Sequence, residues 1–270
     1  MASQDCDIKL LRGLTPAFIV DGFAYPRPEC RSYFLTHYHS DHTVGLSPNF
    51  SGSTIYCSDV TAALVVHDLG VHPRWVSALP MGTAVVIEGV EVTAIDANHC
   101  PGAIMLHFRE AGKQGGTGDY TLLHCGDFRA EEHLRTSATL RGALGRGGGL
   151  DLLYLDTTYC LPRFDFPPQK DALASIASIV AAEQEREPRT LFAIAAYSLG
   201  KERVVEVVVR SSGGKCLVSE QRARVLRLCG WWNGEAGIKK SGELFTTNSA
   251  DPDISAVLIL SELLAMVLSC

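Results

Sequence analysis

The segment FLTHYHSDHTVGL, Phe34 to Leu46, places His37, His39, Asp41 and His42 within six consecutive positions, directly after an apolar run. His37 and His39 lie two residues apart, so in extended backbone both imidazoles face the same side of the chain. Asp41 and His42 follow where that strand breaks into a loop or helix. Imidazole and carboxylate groups converging in this way suit a borderline divalent ion such as zinc, and a catalytic site of this kind keeps one coordination position open for water. The competing reading, a solvated polar loop, sits poorly with an H-x-H-x-D-H spacing.

One cluster cannot enclose an ion. DANHCPGA supplies His99 after an apolar strand, with Pro101 and Gly102 dictating a tight turn that points the imidazole inward; LLHCGDF supplies Asp127, preceded by Gly126, at the end of another strand. Taken singly, His99 is as readable as a core histidine, and Asp127 as a turn residue or helix cap. Three clusters in this order point to two neighbouring metals. His37, His39, His99 and Asp127 are expected around the first, and Asp41, His42 and Asp127 around the second, with Asp127 as the bridge.

The elements that must position these residues are visible as apolar runs. PAFIVDGF, SYFLTHYH, STIYCS, AVVIEGVEVTAIDA, AIMLHFRE and YTLLHCGDF are divided by Gly, Pro, Asn and Asp and read as stacked antiparallel sheets. EAGKQGGTGDY reads as a hairpin loop, and RGALGRGGGL as a flexible surface insertion before the strand LDLLYLDTTY. Past Cys160 the pattern changes. FPPQKDALASIASIVAAEQEREP has Leu173, Ile176, Ala177 and Val180 at helical spacing. RTLFAIAAYS, LGKERVVEVVVR, GKCLVS and EQRARVLRLCG then alternate strand and helix, the pattern of a small parallel α/β lobe. The expected organisation is therefore one domain over residues 1–160 and a second over 161–270. The terminal ISAVLILSELLAMVLSC carries Glu262 and is short for a membrane span, so it reads as a buried strand or helix, with no membrane partner.

At 270 residues and 46% hydrophobic, the chain can bury a sizeable core and a second, smaller one. A formal charge of −6 argues against a uniformly basic surface that coats nucleic acid, although not against a local patch. Such a patch is visible: from Lys201 to Lys240 nine basic residues face four acidic ones, as a groove tracking a phosphate backbone requires. Trp231 and Trp232 read as packing residues more readily than as base-stacking platforms. Nine cysteines without a C-x-x-C pair read as reduced thiols of an intracellular protein, and MASQDCDIKLLRG lacks the apolar core of a signal peptide. AAYSLGKERV has Gly-Lys, but Ala195 and Glu202 stand where a nucleotide phosphate loop needs Gly and Ser or Thr, so no nucleoside triphosphate site is expected.

THYHSDH, DANHCPGA, HCGDFR and LYLDTTYC together resemble the DNA cross-link-repair nucleases of the metallo-β-lactamase superfamily, the β-CASP branch that includes Artemis and Apollo, from about Gly13 to about Leu260. The resemblance implies an α/β fold: an incomplete metallo-β-lactamase αββα sandwich followed by a partial β-CASP α/β lobe. It also implies a nuclear, zinc-dependent 5′-to-3′ DNA exonuclease that serves interstrand cross-link and double-strand-break repair by hydrolysing phosphodiester bonds. In that chemistry Asp41 orients or deprotonates the attacking water and Asp127 bridges the ions. Asp21 in FIVDGF matches an aspartate that supports the metal cluster from behind its ligands. Asp156 in LYLDTTY matches the first β-CASP motif, and Tyr159 follows it. The AAYSLGKERV segment corresponds to one beside a pocket for the 5′-phosphate of DNA, where Ser198 at a helix start and Lys201 one turn on suit a dianion; a simple helix cap with a surface lysine is the even alternative. Resembled chains continue into a SEHSSY-like segment whose histidine completes the second metal site. Here no histidine follows His133, so one or two zinc ions are expected, the second short of a ligand, in a C-terminally truncated chain. The alternatives are a catalytically impaired DNA-binding fragment, or another hydrolase of this fold such as an RNA-processing nuclease.

Overall fold

The computed structural model describes residues 9–112, 118–145, 149–232 and 244–260. Strands β1 (Phe18–Val20), β2 (Ser32–Phe34), β3 (Thr54–Cys57) and β4 (Val76–Ala78) form one sheet in that order, and every pair in it is parallel. This corrects the antiparallel expectation for PAFIVDGF, SYFLTHYH and STIYCS. Parallel neighbours need long crossover connections, and the turn-forming residues between these runs belong to such connections rather than to hairpins. The third crossover carries helix α1 (Asp59–His67), whose Ser58 cap accepts from the Thr61 N–H.

The second sheet has the order β5 (Ala84–Ile87), β6 (Val90–Asp96), β7 (Ile104–Glu110), β8 (Tyr120–His124), β9 (Leu152–Tyr154). Its pairs are antiparallel up to β8, and β9 joins β8 in parallel. Glu88 and Gly89 turn β5 into β6 with φ of 48° and 88°, the positive pair whose twist matches a two-residue hairpin. β7 and β8 pair across EAGKQGGTGDY, of which residues 113–117 lie outside the described ones. Helices α2 (Glu132–Thr136) and α3 (Ala138–Gly145) follow. Arg141 to Gly145, expected as part of a flexible insertion, instead form the end of α3. Leu140, Ala143 and Leu144 pack on Ile95, Met105 and Leu123, and this apolar stripe outweighs the weak helical preference of the glycines.

The two sheets share one core. Phe18, Val20 and Phe34 from the first meet Val92, Ile104, Leu106, Phe108 and Leu122 from the second. The Phe34 ring lies 5.3 Å from Phe18 and 5.0 Å edge-on from Phe108. α1 buries Leu64 and Val65 beside β3 and β4, while α2 and α3 cover the outer face of the second sheet. The layers thus run helix, sheet, sheet, helix.

Residues 1–160 and 161–270 form two compact units. The second contains α4 (Gln169–Arg186), β10 (Phe192–Ala196), α5 (Glu202–Ser212), β11 (Lys215–Leu217), α6 (Glu220–Leu228), β12 (Phe245–Thr246) and β13 (Ile254–Leu260). Its all-parallel sheet has the order β10-β13-β11-β12, as the strand and helix alternation suggested. β13 takes up the start of the terminal apolar segment, and residues 261–270 lie outside the described ones. No described helix is long and apolar enough to cross a membrane. The seven described cysteines form no disulfide.

Much of this unit's positive charge is engaged internally. Arg222 is buried against Glu202 at 2.8 Å, Arg210 pairs with Glu206 at 2.8 Å and Lys215 with Asp251 at 3.0 Å. Arg227 lies over the Trp232 ring at 4.5 Å, and that ring stacks on Phe245. Trp231 is buried, so the tryptophans pack. Lys239 and Lys240 lie outside the described residues.

Phe34 is fully buried where the sheets meet, whereas Val86 is 71% exposed. Phe34→Ala is expected to lower unfolding stability by about 3–5 kcal/mol and Val86→Ala by less than about 0.5 kcal/mol, read from urea denaturation of both variants.

Candidate metal centre

Strand direction assembles the site. β6 and β8 both run antiparallel to β7, so their C-terminal ends lie at one edge of the second sheet. The loop after β6 carries His99 and the loop after β8 carries Asp127. In the first sheet the chain leaves β2 through Leu35, whose N–H donates to the Tyr56 carbonyl at 2.9 Å. It then crosses to the second sheet at Thr36, whose carbonyl accepts from the Ile104 N–H at 2.9 Å. His37 therefore begins its loop clamped between both sheets. A turn in which the His39 carbonyl accepts from the His42 and Thr43 N–H groups brings His42 back toward His37. The Tyr38 hydroxyl donates to Asp68 at 2.8 Å, tying the loop to the end of α1.

The arriving groups face one another closely. His37 Nε2 and His39 Nδ1 are 2.9 Å apart, and His99 Nε2 lies 3.3 Å from His39 Nδ1. Asp127 sits between the imidazoles, 3.4 Å from His42 Nε2, 3.6 Å from His99 Nε2 and 4.0 Å from His37 Nε2. Two groupings have donor atoms within 4.8 Å of one another: His37, His39, His99 and Cys100, and His37, His42 and Asp127.

Asp21 fixes which nitrogens face the centre. It is buried, in left-handed backbone at φ 51°, and its Oδ1 accepts from the Thr36 N–H at 2.8 Å. The single Thr36 hydroxyl proton goes to Asp21 Oδ2 at 2.7 Å. Thr36 Oγ1 must then accept at its 3.0 Å contact with His37, which assigns the proton to His37 Nδ1 and leaves the Nε2 lone pair toward the centre. His42 likewise donates from Nδ1 to Asp21 Oδ2 at 2.8 Å and presents Nε2. Imidazole nitrogens gathered in this manner beside a carboxylate fit a divalent cation.

The supporting turns demand small residues. Gly126 has φ 52°, and a Cβ there would meet Thr36 Cβ at 2.9 Å. Its N–H donates to His124 Nδ1 at 3.1 Å, and the His124 ring stacks on Tyr154. The Gly102 carbonyl accepts from Ser58 Oγ at 2.6 Å and Thr61 Oγ1 at 3.2 Å, which anchors the His99 turn to the start of α1.

Electrostatics without an ion favour its arrival. Burial holds the His37 imidazole well below the ordinary range, and burial followed by His39 brings His99 down to about 4. Burial takes His124 to about 4. For His42 burial acts the same way, but the bonds to Asp127 and Asp21 outweigh it and push the ring up to about 10. The His42 bond in turn holds the Asp127 carboxyl below its usual range, and Asp21 is lowered despite its burial for the same reason.

The structure thus brings together His37, His39, His42, His99 and Asp127, with Asp21 behind them. Asp41 sits at the rim: its side chain is 76% exposed and Oδ2 lies 3.4 Å from His42 Nε2. Asp156 is half-buried and accepts from the Thr158 N–H at 2.9 Å, and Tyr159 is exposed. One expectation is corrected. Ser198 does not start a helix, because Gly200 and Lys201 adopt left-handed backbone and α5 begins at Glu202 with Lys201 as its cap. Lys201 Nζ donates to the Ala195 carbonyl at 2.9 Å, and Glu202 rather than Ser198 accepts from the Gly200 N–H. Three participants were missed: Thr36, His124 and Cys100. Each lies within one to three residues of an expected ligand, and that adjacency was the available signal.

No protein-family model matches the chain. The DNA cross-link repair protein SNM1 of Arabidopsis thaliana is 39% identical over 215 residues, covering 79% of this chain and 42% of that protein. The 5′ exonuclease Apollo of Gallus gallus is 36% identical over 228 residues, 84% of this chain and 44% of that one. Over most of its length the chain is similar to the DNA cross-link repair proteins. Its layered sheets carry the histidine cluster at one edge. It spans less than half the length of these two relatives. Among solved structures, a protein of unknown function from Enterococcus faecalis shares the fold with a TM-score of 0.53 at 13% identity, over 85% of this chain and 58% of that one.

The shifted histidines set a stability profile for the metal-free chain. His99 and His124 remain neutral down to about 4 when folded; the unfolded chain takes up protons below about 6.5, so their contribution is lost as pH falls from there toward 4. His42, raised to about 10, contributes fully below about 6.5 and loses that contribution as pH rises toward 10. Thermal melts in chelator are expected to peak near pH 6.5 and to decline on both sides, and a profile rising steadily from pH 5 to 9 would contradict the assignments.

Proposed function

We propose that the chain is a zinc-dependent 5′-to-3′ DNA exonuclease of interstrand cross-link and double-strand-break repair, acting in the nucleus on DNA with a 5′-phosphate end. The observation that carries this reading is the convergence of His37, His39, His99 and Asp127 from three separate loops upon one point, in a chain whose relatives are named for cross-link repair and 5′ exonuclease activity. The first unit is read as the N-terminal part of a metallo-β-lactamase domain and the second as part of a β-CASP domain.

His37, His39, His99 and Asp127 would hold the first ion, and Asp41, His42 and Asp127 a second. When bound, the metal supplies an acidified water, with its pKa lowered from 15.7 in bulk to roughly 7. The chain's own residues supply position and proton handling. Asp41, exposed at the rim beside His42, accepts the proton of the attacking water. Asp127 orients the reacting centre between His42 and His99. Asp21 keeps His42 and, through Thr36, His37 in the tautomers that face inward. Asp156, Tyr159, Ser198 and Lys201 are read as contacts for the phosphate of the substrate. Lys201 would first leave the Ala195 carbonyl.

The purified chain with zinc is to be offered 5′-phosphorylated single-stranded DNA, 5′-hydroxyl DNA, RNA and the β-lactam nitrocefin. Degradation of the first alone, from its 5′ end, and a loss of about 100-fold or more in Asp41→Asn are expected. Turnover of RNA or nitrocefin would move the chain to another hydrolase class, and zinc binding without any turnover would leave a DNA-binding fragment.

A further inference from the structure

We propose that Cys100 is a fourth donor to the ion held by His37, His39 and His99, closing that position into a three-histidine, one-cysteine site. The inference rests on the metal centre proposed above and extends it to a residue outside the expected ligand set. One donor atom from each of the four residues lies within 4.8 Å of the other three. Bonds of about 2.0–2.1 Å to nitrogen and 2.3 Å to sulfur place tetrahedral donors roughly 3.3–3.7 Å apart. The His37–His39 and His39–His99 edges, at 2.9 and 3.3 Å, already approach that figure. The remaining edges lie within 4.8 Å, so a side-chain shift of about 1 Å brings the thiol to coordination distance.

His99 and Cys100 travel on one braced turn. The Cys100 carbonyl accepts from the Ala103 N–H at 3.0 Å, and Ser58 and Thr61 hold the Gly102 carbonyl two residues on. The thiol is half-buried and outside any disulfide. His37 and His99 therefore face a hard carboxylate, Asp127, at 4.0 and 3.6 Å, and share a grouping with a soft thiol. Coordination replaces the S–H bond by a sulfur–metal bond and releases the proton to solvent. Thiolate favours zinc or cadmium over magnesium or manganese. With sulfur in the fourth corner the position is closed, in the manner of a structural zinc site. It would open to water only if the sulfur left that corner.

Cobalt(II) alone, added to the full chain after chelator treatment, reports both readings. Exposed Cys160 is changed to Ser in all samples, and the comparison is with and without Cys100→Ser. The inference expects visible d–d absorption in both proteins, and a near-ultraviolet sulfur-to-cobalt charge-transfer band that Cys100→Ser abolishes. Visible absorption without that band, or a band that survives Cys100→Ser, overturns the Cys100 assignment while the histidine site stands. Absence of visible absorption in both proteins overturns the metal centre itself and this inference with it.

Discussion

A buried carboxylate is tolerated only when its charge is met by donors, since an unpaired one costs several kcal/mol. Asp21 meets that condition with three bonds, from the Thr36 N–H, the Thr36 hydroxyl and His42 Nδ1. Each bond has a consequence beyond neutralising Asp21. The backbone bond fixes the chain where it crosses from one sheet to the other, the hydroxyl bond determines the His37 tautomer, and the imidazole bond determines that of His42. The core built on Phe34 and Phe108 brings the sheets close enough for Thr36 to reach Ile104, and Gly126 lets the Asp127 loop lie against Thr36 without a clash.

The resulting cluster is poised for a cation. The imidazoles lie in van der Waals reach of one another, with His37 and His42 ring centroids 4.0 Å apart, and burial disfavours protonating His37 and His99. His42 is the exception because two carboxylates hold its proton. Arrival of a metal at His42 Nε2 must displace that proton, whereas His99 presents a free base at neutral pH.

The residues that the site brings together were legible in the sequence because their types and spacing are distinctive: His37, His39, Asp41 and His42 crowd six consecutive positions. The strand and helix alternation of the second unit was legible for a related reason, since Leu173, Ile176 and Val180 mark a helix face whatever surrounds it. Strand direction was not. Alternation in FIVDGF and SYFLTHYH records which face is buried and carries no information on parallel or antiparallel pairing. The start of α5 was misplaced because Lys201 takes a left-handed conformation that residue preference gives no reason to expect. The basic balance from residue 201 onward overstated the available charge, since sequence spacing does not reveal that Arg222 is buried against Glu202. Thr36 was passed over because its role arises from a contact between sheets, and His124 because its role lies in holding the Gly126 turn and stacking on Tyr154 of the neighbouring strand.

The most direct test is a zinc titration by calorimetry of the native chain beside Asp21→Asn, which keeps side-chain size while removing the charge and an acceptor. If this carboxylate organises the imidazoles, the substitution weakens zinc binding by about 10–100-fold with the fold retained by circular dichroism. Equal affinity in a folded variant would mean that the histidines find their geometry without Asp21, and would contradict the account.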